Sequence, residues 1–110
     1  ENAETTIEAA ARETREEALA DVDIQGLYSI IDVPHINQVH MFYRATLKDG
    51  LFGAGEESLE SKLFEPGDIP WDEISFPTVR KTLELFLADM KSESYNVHVT
   101  DIRHPMAKKA

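Results

Sequence analysis

Cysteine is absent from the 110 residues, which excludes disulfides, thiolate metal sites and a cysteine nucleophile within this chain. That absence fits an intracellular protein, and a cytoplasmic location is expected. Long apolar runs are missing as well. None approaches the ~20 residues that a membrane helix needs, and the opening residues are polar and acidic, unlike a signal peptide. Positive charge is scarce: 11 Lys and Arg stand against 21 Asp and Glu, giving a net charge of −10. A balance of that sign disfavours tight binding to a nucleic-acid backbone or an anionic membrane. It also sets a problem for any phosphate-bearing substrate, because like charges repel; a bound divalent cation would resolve it.

What is present is enough for one small folded domain. Hydrophobic residues make up 42% of the chain, as in globular rather than disordered proteins. Residues 5 to 19 are predicted to form a helix. Thr5 with Glu8 three positions on has the capping-box form, and Ile7, Ala10, Ala11, Thr14 and Ala18 recur at helical spacing. Residues 22–33, VDIQGLYSIIDV, are rich in β-branched and aromatic types and predict a strand that Pro34 ends. Residues 38–47, QVHMFYRATL, alternate: Val39, Met41, Tyr43, Ala45 and Leu47 on one face, Gln38, His40, Phe42, Arg44 and Thr46 on the other. Lys48-Asp49-Gly50 is a turn signal and GAGEE at 53–57 an acidic loop. A short strand is expected at 59–64. A second helix is expected from about Phe76 to Met90, capped by Ser75, with Val79, Leu83, Phe86 and Met90 as its apolar stripe. A last strand is expected at 95–99. The order of elements predicts an α/β or α+β layered domain over residues 1–103, followed by a polar tail at 104–110.

The chemistry concentrates in Arg12-Glu13-Thr14-Arg15-Glu16-Glu17. On a helix Glu13, Glu16 and Glu17 lie at i, i+3 and i+4, so three carboxylates gather on one face and repel one another. A hard divalent ion turns that repulsion into attraction. Mg²⁺ or Mn²⁺ prefers carboxylate oxygens, keeps several waters and bridges to substrate phosphates. Arg12, one turn before Glu16, is placed to orient a carboxylate. The competing reading is a solvated face, since Glu-rich helices with interspersed Arg are common at protein surfaces.

Glu4, followed after seven residues by Arg12-Glu13-x-x-Glu16-Glu17, resembles the Nudix box, G-x5-E-x7-R-E-U-x-E-E-x-G-U. Thr14 stands where the box has an aliphatic residue, and Leu19 where it has its second glycine. The segments PHINQVHMFYRATL, GEESLESKLF and DIPWDEISFPTV look like a branch of that family containing bacterial zinc-ribbon proteins and plant plastid FAD pyrophosphatases. The resemblance implies the Nudix fold, a mixed sheet packed between helices, with its first strands lying before residue 1. A longer functional protein, or a partner subunit covering the missing face, is therefore expected. It also implies divalent-metal-dependent cleavage of a pyrophosphate bond in FAD, ADP-ribose or NADH. Glu16 and Glu17 would be the principal ligands with Glu13 beside them, and Glu4 and Arg12 would support them. Glu13 or a distal loop acid would act on the attacking water. Glu57 is the candidate, ahead of Glu60 and Glu56, weighed evenly against a solvated loop residue. A homodimer is expected from the family. A non-catalytic nucleotide- or partner-binding acidic domain is the alternative. His35, His40, His98 and His104 lack ligand spacing and are assigned to no metal. Phe42, Tyr43 and Arg44 are secondary candidates for ring stacking or phosphate contact, and Trp71 is expected to pack its loop onto the fold.

Overall fold

The structure, a computed structural model, describes residues 3–53, 55 and 63–103. Its architecture is α+β. Helix α1 spans Thr6–Ala18, strand β1 Val22–Val33, strand β2 Gln38–Leu47, helix α2 Pro77–Ser92 and strand β3 His98–Asp101. The three strands form a mixed sheet in the order β2-β1-β3. Two compact units divide the chain, one comprising 1–26 with 43–64 and the other 27–42 with 65–110. Glu57, Glu56 and Glu60, most of the expected strand at 59–64, and the tail with His104 lie outside the described residues; Leu63 and Phe64 adopt neither helix nor strand.

In the first unit the capping box predicted from Thr5 and Glu8 is formed. The Thr5 hydroxyl accepts from the Glu8 amide at 3.1 Å, and the Glu8 carboxylate accepts from the Thr5 amide at 2.9 Å. Two amides left without helical partners at the helix start are thereby satisfied. The side chains of Thr6 and Tyr43 share a hydrogen bond, joining α1 to the second half of β2. The turn after β2 is tied back by the Lys48 amide, which donates to the Asp21 carbonyl at 2.9 Å.

In the second unit β1 and β3 run parallel, with Ser29 opposite His98 and Asp32 opposite Asp101. Tyr28, Ile31 and Val33 are its buried apolar residues, and Ser29, Thr78 and Thr82 are buried beside them. Helix α2 meets β1 through a polar seam as well as through Phe86, one member of the stripe expected at Val79, Leu83, Phe86 and Met90. Thr78 and Thr82 are the residues it buries, whereas Met90 is 39% exposed. The reason is the hydrogen bonding available to the two hydroxyls. Thr82 bonds Ser29 at 2.9 Å and Thr78 bonds His40 Nδ1 at 2.8 Å, so small polar residues are buried with their polar atoms paired. No buried side-chain nitrogen or oxygen among the described residues lacks a partner. Two turns further along, Asp89 accepts from the Tyr28 hydroxyl, and His98 Nε2 lies 2.8 Å from the same carboxylate. The Tyr28 hydrogen bond, seconded by His98, holds the Asp89 carboxyl below its ordinary range. Phe86 meets the Tyr28 ring edge-on at 5.5 Å and completes the contact.

Two boundaries differ from the sequence expectation. The first residue of α2 is Pro77, with Phe76 in the cap position and no side-chain cap, so Ser75 does not cap it. The proline needs no amide partner there, which lowers the demand for a capping side chain. Strand β3 begins at His98 rather than at 95, because pairing with β1 starts at Ser29–His98. On β2, Val39 and Met41 are 56% and 41% exposed, while His40 on the opposite face is half-buried. Thr78 of α2 docks on His40, so that face, and not the more apolar one, receives the helix.

Candidate functional site

The five polar residues singled out between Glu4 and Glu17 fall on α1 and the segment leading into it. Glu13, Glu16 and Glu17 are exposed on the helix, and Glu4 and Arg12 are half-buried. Arg12 is the centre of the arrangement. Its Nε donates to both Glu4 carboxylate oxygens, at 2.9 and 3.2 Å, and its Nη1 donates to Glu16 at 3.0 Å. One guanidinium thus ties the acid before the helix to an acid one turn ahead, using the fixed fork that distinguishes Arg from Lys. Electrostatics follow the geometry. The Arg12 hydrogen bond holds the Glu4 carboxyl below its ordinary range, and Glu4 in turn raises Arg12. Glu4 is therefore ionised at neutral pH and the pair is fixed in its charged form. Arg15, on a neighbouring row of the helix, is paired with Asp21. An open cleft of about 570 Å³ adjoins the arginine side of the helix, lined by Arg12, Arg15, Glu16 and Asp21 among others.

The donor set suits a hard divalent cation. All of its members are carboxylates, three of them on one helical face, and Glu16 already has its orientation fixed by Arg12. Among the described residues no three acidic or imidazole groups converge as a ready-made cage. Mg²⁺ does not require one, because it is ordinarily held by one or two carboxylates, with waters and substrate phosphate oxygens filling the rest. Glu57, the sequence candidate for a further acid, lies outside the described residues.

The two departures from the box each have a local answer. Thr14, in the aliphatic position, turns its hydroxyl back onto the Ala10 carbonyl at 2.8 Å. Its polar atom is thereby paired within the helix and its methyl group remains for packing. Leu19, in the glycine position, takes the left-handed conformation itself, with φ 49° and ψ 36°, and caps α1 through its amide to the Arg15 carbonyl. The turn that a glycine would make is therefore kept at a steric cost, since a Cβ is disfavoured there by roughly 1–2 kcal/mol. Its side chain is 55% exposed, so little packing offsets that cost. Leu19→Gly is expected to stabilise the protein by about 1 kcal/mol, raising the melting temperature by several degrees. A lower melting temperature would show that the leucine's contacts outweigh its backbone strain.

The secondary candidates are dispersed. His40 bonds Thr78 and Gln38, and His98 bonds Asp89. Trp71 is half-buried under Arg80, whose guanidinium carbon lies 5.4 Å from the ring centroid and whose side chain donates to the Trp71 carbonyl. Sequence reasoning missed the glycine at position 55, which is buried against the end of α1; only a tertiary contact reveals it.

No protein-family model matches the chain, and no curated protein sequence does. Among solved structures, the crystal structure of a NUDIX hydrolase from Nitrosomonas europaea is similar to it, with a TM-score of 0.90 and 41% identity over 94% of this chain. The chain spans 59% of the length of that protein. Identity at that level over nearly the whole chain, with the box residues on the helix and linked as described, leads to one assignment: the chain belongs to the Nudix hydrolase family.

Proposed function

We propose that the protein hydrolyses the pyrophosphate bond of a nucleoside diphosphate linked to another moiety, using a divalent cation held at the carboxylate end of α1. The observation that carries this reading is the Glu4–Arg12–Glu16 linkage on a helix face that also bears Glu13 and Glu17. A carboxylate face serving only for solubility has no need of an arginine fixed at both ends. Bound there, Mg²⁺ or Mn²⁺ supplies charge neutralisation for the diphosphate and lowers the pKa of a coordinated water.

The chain's own residues do the rest. Glu16 and Glu17 provide the ligand oxygens. Arg12 holds Glu16 in one orientation, and Glu4 holds Arg12, so the ligand is arranged before substrate arrives. Glu13, on the same face, is the group within this helix to orient the attacking water or accept its proton; Glu57, two residues beyond Gly55 in sequence, is the alternative. The chain's net charge of −10 makes a phosphate substrate dependent on the cation for approach. The cleft beside Arg12 and Arg15 has a volume in the range of small-molecule sites.

FAD leads ADP-ribose and NADH as the substrate, on the sequence resemblance. The test is phosphate release from the three compounds by the full-length protein, with a coupling phosphatase, in Mg²⁺ and in excess chelator. Metal-dependent cleavage of one of them establishes the reaction class and ranks the substrates. No cleavage of any, together with a melting temperature indifferent to Mg²⁺, would leave an acidic binding domain.

A further inference from the structure

We propose that Gly55 is a positioning residue for the cation site: its backbone, pressed onto the main chain of Glu16 and Glu17, fixes the carboxylate-bearing end of α1. The proposal rests on the hydrolase reading above.

An α-helix leaves its last four carbonyls without helical partners. In α1 these belong to Arg15, Glu16, Glu17 and Ala18. The Leu19 amide takes Arg15 at 3.0 Å, the Gly53 amide donates to Ala18 at 2.6 Å, and the Gly55 amide donates to Glu17 at 3.1 Å. The chain after β2 therefore returns as a strap across the helix end. All three carbonyls so engaged lie on or next to the proposed ligands, and the Gly55 amide holds that of Glu17 itself.

Space dictates the residue type at 55. A Cβ there would stand 1.7 Å from the Glu16 carbonyl oxygen, 2.8 Å from its carbon and 3.4 Å from the Glu17 carbonyl carbon. All three are backbone atoms, which cannot rotate aside as a side chain can. Accommodating a methyl group requires the strap or the helix end to shift by about 1 Å or more, a displacement that degrades preorganised sites. Gly53 is different. Its added Cβ would meet the Leu19 side chain, at 3.3 Å to Cδ1, and that side chain is free to adjust its rotamer. Gly67 has nothing within 4 Å of an added Cβ. The three glycines therefore form a graded series.

The measurement is Mn²⁺ binding by electron paramagnetic resonance for full-length parent, Gly55→Ala, Gly53→Ala and Gly67→Ala, with folding checked by circular dichroism. Folded Gly55→Ala is expected to bind Mn²⁺ about 10–100-fold more weakly, the loss typical of residues that orient metal ligands, while Gly53→Ala loses less than that and Gly67→Ala binds as the parent does. Binding by folded Gly55→Ala equal to the parent's overturns the proposal and leaves the cation site standing. A parent that binds no Mn²⁺ sinks the site and this role together. Should Gly55→Ala fail to fold, amide exchange in the parent decides: protection of the Gly55 amide that rises with Mg²⁺ supports the strap, and exchange indifferent to Mg²⁺ overturns it.

Discussion

Glu16→Gln and Glu17→Gln are each expected to lower kcat for pyrophosphate hydrolysis by about 10²–10³-fold while the protein stays folded. A cation that polarises a phosphoryl group supplies several kcal/mol of transition-state stabilisation, and each 1.36 kcal/mol is a decade in rate. Both substitutions keep the shape of the side chain and remove the charge that the ion needs. Neither side chain is buried, so no packing is lost and the melting temperature in the absence of metal should scarcely move. Glu4→Gln reaches the site indirectly, by loosening Arg12 from one of its two anchors. Its loss should be smaller, about 10–100-fold, and should show mainly as a higher half-saturating Mg²⁺ concentration. Glu8→Gln is the control on the same helix, because glutamine also completes a capping box and Glu8 touches none of the proposed ligands. Equal small losses in all four variants would mean that the glutamates act only through the helix's overall charge, and the acidic-face reading would replace the catalytic one.

The residues that made these variants nameable were legible because their signals are local. Arg12 and Glu16 meet at i and i+4, a spacing that one turn of helix enforces, and Thr5 and Glu8 cap the same helix through atoms three residues apart. Strands β1 and β2 fall at 22–33 and 38–47 as expected, bounded by Pro34 and by the Lys48-Asp49-Gly50 turn. What escaped was set by tertiary contact. Thr78 and Thr82 look like surface residues of an amphipathic helix until Ser29 and His40 provide partners for their hydroxyls. The start of β3 at His98 depends on its register with Ser29, which no pattern within 95–101 encodes. Gly55 reads as an ordinary loop glycine, because the Glu16 carbonyl that excludes a side chain lies about forty residues earlier. Leu19 shows the converse: the box led to a glycine, and the chain makes the same left-handed turn with a leucine.

Ile31→Ala should be the most damaging single substitution for the stability of the second unit. Ile31 is 0% exposed, and only Tyr28 and Val33 join it as buried apolar residues among those described in that unit. It sits in β1 opposite Thr100 of the parallel strand β3, two residues from the equally buried Ser29. Removing three of its carbons costs the transfer free energy of those groups and leaves a cavity, together about 2–5 kcal/mol. For a domain of this size that corresponds to a fall in melting temperature of roughly 10–30 °C. Val99, on β3 opposite Ile30, is 69% exposed, and Val99→Ala should change stability by no more than about 0.5 kcal/mol. The pair tests where the core lies, since both substitutions truncate β-branched residues in paired strands and only one of them opens a cavity. Thermal melts of both variants in the full-length protein give the comparison. A loss from Val99→Ala comparable to that from Ile31→Ala would sink the assignment of Val99 to solvent and show that face of β3 to be covered in the complete molecule.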